Sequence, residues 1–395
     1  MKILYHHRVG SKDGQYVHIA ALVAALRECG HELIVVGPTA YESLQFGEQR
    51  NLVASLRARL PKWLYELLEV GYSVLDFLRL LRAVRRHRPA AIYERYNLHL
   101  LSGAWARALL RLPLILEVNA PLAEERGRYG GLALPGLARR LESYVWRSAD
   151  FVLPVTGVLA GHVTAAGVPA QRIRVVPNGA DREFLEAHDR DAAKAQLGLA
   201  HRTVLGFTGF VREWHRLERV LELIAQHRGR DWHFSVVGDG PARPSLEALA
   251  ARLGIADRVT FTGVVERARV PAHVASFDVA LQPDVVPYAS PLKLIEYLAM
   301  GRAIVAPAAA NIREVLEHER NALLFDPADD AAFAAAIVRL CGDAALRARL
   351  GAEARATIDR RGLTWSANAA TVTALFQELT TRVDDRTSTA AGAPR

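Results

Sequence analysis

Short apolar runs alternate with longer segments of helical periodicity along most of the chain. In the first half, strands are predicted at Lys2–His6, Glu32–Gly37, Ala90–Tyr93, Leu114–Val118 and Phe151–Pro154. In the second half, strands are predicted at Thr203–Phe207, Trp232–Val237, Val259–Phe261, Val279–Gln282 and Ala303–Ala306. Helical patterns separate these strands, which is typical of an α/β protein with parallel sheets.

The strand pattern restarts near residues 172–185, so we predict two doubly wound, Rossmann-like domains. The first covers residues 1–175 and the second covers 176–363, while a last helix at about 364–383 crosses back to the first. The polar segment 384–395 is expected to be disordered. A chain of 395 residues, 51% hydrophobic and 23% charged, fits two globular cores.

Composition excludes several classes of protein. The two cysteines, Cys29 and Cys341, lie in no CxxC or Cys/His cluster, so neither a disulfide framework nor a metal site is predicted. The opening residues 1–8 hold too short an apolar stretch for a signal peptide, and the longest uncharged stretch, 151–171, is broken by proline and glycine. We therefore expect a soluble, cytoplasmic protein.

The net charge of +8 and the pI near 9.7 favour a polyanionic partner such as a nucleotide or an anionic lipid. The basic residues are spread along the chain rather than striped, which disfavours nucleic acid. One helix concentrates them: Leu64 to Arg88 combines leucines with arginines at 79, 82, 85, 86 and 88. It fits docking at an anionic inner membrane face, or a core-facing helix whose arginines complement its dipole.

The strongest candidate site is Tyr288–Ala306, where a helix start suited to anions leads into a buried strand. We predict Ser290 as the N-cap, Pro291 as the first helical residue and Gly301 as the left-handed stop. Free N–H groups and the positive end of the dipole would stabilise a phosphate there. The candidate donor-binding residues are Ser290, Pro291, Leu292, Lys293 and Glu296. Alternatively, this is an ordinary helix with a solvated Lys293–Glu296 pair.

Three glycine-containing loops follow strands of the second half. Gly209 precedes a basic turn with Arg212 and His215, whose charges suit phosphate oxygens. Gly238 with Asp239, and Gly263, follow the next two strands and are further donor-binding candidates, because ligands of such sheets bind outside the carboxyl ends of the strands. The alternative for each loop is a surface turn.

Polar residues also follow strands of the first half. Gly14 permits close approach of a ligand ahead of a helix that includes His18, although the loop is not a GxGxxG motif. Glu94, Arg95 and Asn119 lie just past strands, where they could meet sugar hydroxyls. As alternatives, His18 is a structural histidine, Glu94 and Arg95 form a local ion pair, and Asn119 caps a turn.

Taken in order, these motifs resemble the retaining glycosyltransferases of the large family that includes sucrose synthase and bacterial mannosyltransferases. The likeness runs from the Gly14 loop through Pro177-Asn-Gly-Ala-Asp181 and Val237-Gly-Asp-Gly-Pro241 to Ser290–Ala306. It implies the GT-B fold, in which two Rossmann-like domains face each other across a cleft. It also implies transfer from a nucleotide-sugar donor with retained anomeric configuration, the first domain serving the acceptor.

The resemblance also implies residue roles. Glu296 would bind the donor ribose, and the amides around Pro291–Lys293 would bind the diphosphate. Arg212 and His215 would neutralise the leaving diphosphate, which requires no metal ion or other cofactor. The chain departs from the family where Tyr288 replaces a frequent acidic residue, where Phe210 and His215 replace a usual Arg and Lys, and where Asn119 replaces a frequent histidine.

We therefore predict a hexosyltransferase that uses a UDP- or GDP-sugar. Its acceptor would be a glycan, a lipid-linked oligosaccharide or a small molecule. Two alternatives stay open. A nucleotide-sugar epimerase or hydrolase of the same fold would consume the donor without an acceptor, and a basic nucleic-acid-binding protein would show a steep salt dependence.

Overall fold

The computed structural model describes residues 1–10, 14–38 and 60–391, with the side chains of 382–391 excepted. It divides into two compact units, Met1–Pro177 with the C-terminal helix, and Asn178–Thr364. The sequence placed these boundaries at 175/176 and 363/364. Residues 11–13 of the predicted Gly14 loop lie outside the described residues.

The first unit is built on a parallel five-stranded sheet in the order β2-β1-β3-β4-β5. Its strands are β1 Lys2–His6, β2 Glu32–Val36, β3 Ala91–Arg95, β4 Leu114–Val118 and β5 Phe151–Pro154. Its first helices are α1 Gly14–Glu28, α2 Lys62–His87, α3 Ser102–Leu110, α4 Leu122–Glu125 with a π-helical turn at Arg126–Gly130, α5 Pro135–Ser148, α6 Gly157–Ala165 and a 3-10 turn at Ala170–Arg172. Strands β3, β4 and β5 are buried along their whole length, as expected of parallel strands covered by helices.

The second unit contains a parallel six-stranded sheet in the order β11-β10-β9-β6-β7-β8. Its strands are β6 Thr203–Thr208, β7 Trp232–Val237, β8 Val259–Phe261, β9 Val279–Leu281, β10 Ala303–Pro307 and β11 Leu323–Phe325. Its helices are α7 Arg182–Leu185, α8 Arg190–Gln196, α9 Glu218–Gln226, α10 Arg243–Arg252, α11 Val270–Ala275, α12 Leu292–Ala299, α13 Ala310–Arg313, α14 Asp330–Gly342 and α15 Ala344–Arg361. Short 3-10 turns occupy Glu213–His215, Ala256–Arg258 and Arg267–Arg269.

The C-terminal helix α16, Trp365–Ala391, belongs to the first unit and packs against α1. The helix continues to Ala391, beyond the end predicted at about residue 383, while 392–395 lie outside the described residues. The physical reason is that the polar residues after Val383 are tolerated in a helix, and the first strong helix breaker is Gly392. Within the described residues, no helix combines the length and hydropathy needed to cross a bilayer.

Candidate functional site

Two glycine loops of the second unit pack backbone against backbone at the carboxyl ends of β6 and β7. Gly209 has φ 123° and Gly238 has φ 140°, which side-chain-bearing residues rarely adopt. A Cβ on Gly238 would lie 2.1 Å from the carbonyl oxygen of Gly209. The N–H of Val211 donates to the carbonyl of Asp239 at 2.9 Å. The two predicted loops therefore form one floor beneath the candidate site.

The side chain of Asp239 is committed to its own loop. Its Oδ1 accepts the N–H of Gly240 at 2.7 Å, and its Oδ2 accepts from Nη1 of Arg243 at 3.0 Å. Gly263 lies next to this pair, since a Cβ there would be 3.2 Å from the Arg243 Nη1. Asp239 thus shapes the turn, and Gly263 leaves room for the arginine.

The start of α12 differs from the prediction by one residue. Pro291 is the N-cap, with φ −70° and ψ 119°, and the helix begins at Leu292. The hydroxyl of Ser290 instead accepts the N–H of Asn178 at 3.1 Å, and Asn178 Nδ2 donates to the Ser290 carbonyl at 2.5 Å. The N-cap prediction for Ser290 is therefore wrong, because a tertiary hydrogen bond takes its hydroxyl.

The first turn of α12 keeps free backbone donors. Pro291 has no N–H, so the donors begin at Leu292 and Lys293, whose N–H groups have no intrahelical acceptor. At the other end, Gly301 has φ 61°, and the predicted left-handed stop is confirmed.

Lys293 joins α12 to the basic turn. Its Nζ lies 3.3 Å from Nε2 of His215 and 3.9 Å from the ring centroid of Phe207. A Cβ on Gly209 would lie 3.2 Å from the lysine Cε. The structure therefore brings together Gly209, His215 and Lys293, which the sequence placed in separate motifs.

The basic turn presents one neutral imidazole and one guanidinium. Nδ1 of His215 accepts the backbone N–H of Arg212 at 3.3 Å, and burial together with the charge of Lys293 lowers the pKa of His215 to about 2. The Arg212 guanidinium stacks between the rings of Phe210 and Trp214, 4.6 and 4.8 Å from their centroids. No carboxylate of the described residues pairs with Arg212, so its N–H donors remain available to a ligand.

Glu296 is bound by an arginine that sequence reasoning missed. Its Oε1 lies 2.7 Å from Nη1 of Arg267, whose Nε donates to Oδ2 of Asp181 at 3.1 Å. Glu296 is 4% exposed, and burial raises the pKa of its carboxyl against the opposing effect of Arg267. The solvated Lys293–Glu296 pair considered from the sequence is therefore wrong. Asp181 was visible within the Pro-Asn-Gly-Ala-Asp motif, whereas nothing in the sequence singled out Arg267.

Three buried side chains hold the loop that precedes α12. Asn311 Nδ2 donates to the carbonyl of Ala289 at 2.7 Å, Arg219 Nη2 donates to that of Pro283 at 2.7 Å, and Gln282 bonds within the loop. The hydroxyl of Tyr297 accepts the N–H of Thr208 at 2.8 Å, which ties α12 to the end of β6. The helix start is therefore positioned from several sides before any ligand binds.

In the first unit, Glu117 on β4 gathers the predicted polar residues. Its carboxylate accepts from Asn119 Nδ2 at 2.6 Å, from the Tyr93 hydroxyl at 2.8 Å and from Arg95 Nη1, and lies 3.0 Å from His18 Nε2. These partners hold the pKa of Glu117 well below its usual range. Three of the four predicted side chains, those of His18, Arg95 and Asn119, thus meet at a carboxylate absent from the predicted set. The sequence feature that could have identified Glu117 is a single acidic residue within an apolar, buried strand, because a buried carboxylate requires hydrogen-bonding or charged partners.

The fourth predicted side chain, that of Glu94, lies apart from this cluster. It is 0% exposed, and its Oε2 lies 2.6 Å from Nδ1 of His6. A Cβ on Gly103 would be 1.9 Å from that oxygen. Glu94 therefore offers no surface for a sugar and does not pair with Arg95, so both predictions for it are corrected. Gly14 begins α1 and has an open surrounding.

His6 is a buried cation held between two acids. Its Nε2 lies 2.9 Å from Oδ2 of Asp76, which also accepts the hydroxyl of Ser102 at 2.5 Å. Burial alone would lower the pKa of His6, but the hydrogen bonds and charges of Asp76 and Glu94 outweigh it and raise the pKa to about 9. The triad fixes the end of β1 against α2 and β3.

Two family profiles match the chain: "Glycosyl transferases group 1" over residues 202–343 and "Glycosyl transferase 4-like domain" over residues 13–179. A 2-deoxystreptamine glucosyltransferase from Streptomyces kanamyceticus is 30% identical over 83% of this chain and 90% of its own. An alpha-D-kanosaminyltransferase from the same organism is 27% identical over 71% of this chain and 76% of its own. The crystal structure of Anabaena HepE in complex with UDP matches with a TM-score of 0.76 at 20% identity, covering 96% of this chain and 100% of that chain. At that identity the structural likeness bears on the fold alone.

The buried His6 triad predicts a pH-dependent stability. Because the pKa rises from 6.5 to about 9 on folding, the contribution of His6 is complete below pH 6.5 and is lost as the pH rises through 9. This loss amounts to about 3 kcal/mol. In urea unfolding at several pH values, the free energy of unfolding should fall less steeply with rising pH for His6→Gln than for the parent. His201→Gln, which changes an exposed site, should keep the parent's dependence on pH. Equal slopes would contradict the triad, and NMR titration of the His6 ring in the unmutated protein provides an independent reading.

Proposed function

The chain belongs to the group 1 glycosyltransferases, enzymes of the GT-B fold, and from this we propose that it transfers a hexose from a UDP- or GDP-linked sugar to an acceptor hydroxyl with retained configuration. The observation that carries the proposal is that His215 accepts the backbone N–H of Arg212 and lies 3.3 Å from Nζ of Lys293, which joins the basic turn to the first turn of α12. A diphosphate has the negative charge and the acceptor oxygens that such a group binds. UDP is the first candidate, because HepE, of the same fold, was crystallised with it.

We assign leaving-group stabilisation to Arg212. As the bond to the sugar breaks, negative charge builds on the diphosphate, and a guanidinium already in place stabilises that charge without reorganisation. The stacking on Phe210 and Trp214 fixes the orientation of this guanidinium. This electrostatic role would allow transfer to proceed without a metal ion.

The remaining donor contact is assigned to Glu296, whose carboxylate would accept the ribose hydroxyls. Arg267 holds Oε1 of that carboxylate and thereby sets its orientation. In the first unit, the cluster around Glu117 orients Asn119 and His18, and we assign these two side chains to sugar or acceptor hydroxyls. A glycan, a lipid-linked oligosaccharide and a small molecule all present such hydroxyls.

The donor is tested by a screen of UDP-, GDP- and ADP-sugars with thermal shift and turnover. A ligand at 100 times its dissociation constant should stabilise the protein by about 2.7 kcal/mol. NMR of the product should show the anomeric configuration of the donor, and turnover should persist in EDTA. Donor consumption without an acceptor would instead identify an epimerase or hydrolase, and no response to any nucleotide sugar would refute the proposal.

Arg212→Gln should lower kcat by about 10²–10³-fold while leaving the melting temperature unchanged, since the side chain makes no ion pair with the described residues. The matched control is Arg252→Gln, which removes one exposed arginine of the same unit at the end of α10. Steady-state kinetics with the donor found in the screen measures both variants. Parent-like kcat in Arg212→Gln would rule out leaving-group stabilisation by this residue.

We further propose that α2 docks on an anionic membrane surface. The face that this helix buries consists of Glu66, Glu69, Ser73, Asp76 and Leu80, so most of its leucines do not face the core, while Arg85 and Arg86 in the last turn are placed to complement its dipole as the alternative expects. Its exposed face carries large apolar side chains, namely Trp63, Leu67, Leu68, Val74, Leu75 and Leu78. At 3.6 residues per turn, the exposed Arg82, Arg85 and Arg86 continue the same face. Apolar insertion flanked by cations fits anionic lipid.

Vesicle co-sedimentation tests the docking. We expect binding to vesicles containing phosphatidylglycerol and little binding to pure phosphatidylcholine. Arg85→Gln with Arg86→Gln should weaken binding by about thirtyfold, at about 1 kcal/mol per arginine. Leu67→Gln with Leu75→Gln should also weaken it, whereas Leu109→Gln, which changes an exposed leucine of α3, should not. Equal binding of all variants would exclude α2 as the docking face.

A further inference from the structure

The contact between His215 and Lys293 constrains where protons reside. A neutral imidazole carries one N–H, and Nδ1 of His215 is occupied by the backbone N–H of Arg212, so the ring proton lies on Nε2. Nε2 lies 3.3 Å from Nζ of Lys293. An ammonium has three donors and no acceptor, so a charged lysine would oppose one donor to another. An uncharged amine would accept the hydrogen bond.

Some features of the surroundings of Lys293 favour its charged form, and others oppose it. Phe207 on β6 presents its ring face, and Glu296 lies on the same helix; both favour the charged form. Glu296, however, is already bound by Arg267. Burial opposes the charge more strongly and lowers the pKa of Lys293 to about 7. Burial is the largest cause of the lowered pKa of His215 and the charge of Arg212 adds to it, so that ring is neutral even beside an uncharged Lys293.

We infer that the ligand-free protein holds Lys293 as an uncharged amine that accepts a hydrogen bond from His215, and that a bound diphosphate recharges it, so that donor binding takes up one proton. The proton comes from solvent and ends on Nζ, and His215 stays neutral throughout. His215 is thus a positioning residue that acts through Lys293. The inference rests on the proposed function and adds to it a proton linkage of donor binding.

The inference gives a physical meaning to a departure from the family. His215 stands where relatives usually have a loop lysine, and here the cation reaches the same point from α12.

Isothermal titration calorimetry with UDP provides the test. The titrations are run at pH 8 in two buffers of different ionisation enthalpy. The difference between the two apparent binding enthalpies, divided by the difference between the two ionisation enthalpies, should correspond to the uptake of nearly one proton per UDP. Between pH 7.5 and 8.5 the affinity should fall about tenfold. The diphosphate of UDP does not titrate in this range, since the last pKa of a phosphate monoester is about 6. GDP and then ADP replace UDP if UDP does not bind.

Variants separate the lysine from the histidine. Lys293→Met should bind more weakly with no proton uptake. His215→Gln should keep the uptake, because its amide can accept from Arg212 and donate to Lys293. His215→Phe keeps the ring packing but removes the donor, so Lys293 should stay charged to higher pH and the uptake at pH 8 should shrink. His201→Gln, at an exposed site, is the control and should match the parent.

The outcomes distinguish the inference from the proposed function. UDP binding by the parent without proton uptake would overturn the inference and leave the glycosyltransferase proposal standing. Full uptake in Lys293→Met would also overturn it, because another group would then be the proton acceptor. Failure of UDP, GDP and ADP to bind at all would refute the proposed function itself.

Discussion

The second unit depends on one steric constraint, the contact between two stretches of backbone. Gly238 lies so close to the carbonyl of Gly209 that a Cβ would stand 2.1 Å from it, so a residue with a side chain cannot replace Gly238 unless the two loops move apart. The turn with Arg212 and His215 leaves directly from this floor. The hydroxyl of Tyr297 then holds α12 to the same strand end. The side chains of the basic turn and of Lys293 are therefore placed by packing and backbone hydrogen bonds, and no acid of the described residues pairs with the Arg212 guanidinium.

Periodicity located β1 to β10 because each is an apolar run between turn residues, and it placed the two units because the run of strands restarts after the Pro-Asn-Gly motif. It missed β11, Leu323–Phe325, although β8 and β9 are equally short and were located. It also ended α16 too early, because polarity was taken for disorder although no helix breaker precedes Gly392. The local pattern of apolar residues thus predicts where helices and strands lie, whereas the ends of helices depend on the helix propensity of individual residues.

The candidate site was predictable where topology alone decides position, and it was not where partners decide. Gly209, His215 and Lys293 follow or precede strands at one sheet edge, so parallel topology brings them together. Which acid pairs with which base depends on tertiary packing: Glu296 is bound by Arg267, and Glu94 by His6, each from a distant part of the chain. Ser290 has the sequence of an N-cap, but its hydroxyl serves Asn178. No periodicity carries such information.

The charge of Arg212 is held in a different way from the buried charges of the first unit. In the first unit, His6 lies between two acids and Glu117 between several donors, so each charge is satisfied within the protein and contributes to a fixed scaffold. In the second unit, Arg212 rests on aromatic rings, which orient a guanidinium without consuming its donors. A cation that is already ion-paired would have to break that pair before it could bind phosphate, and the free-energy cost would weaken binding. A cation that is held by stacking keeps its N–H donors for the ligand. This arrangement is expected at a site where the substrate itself supplies the negative charge.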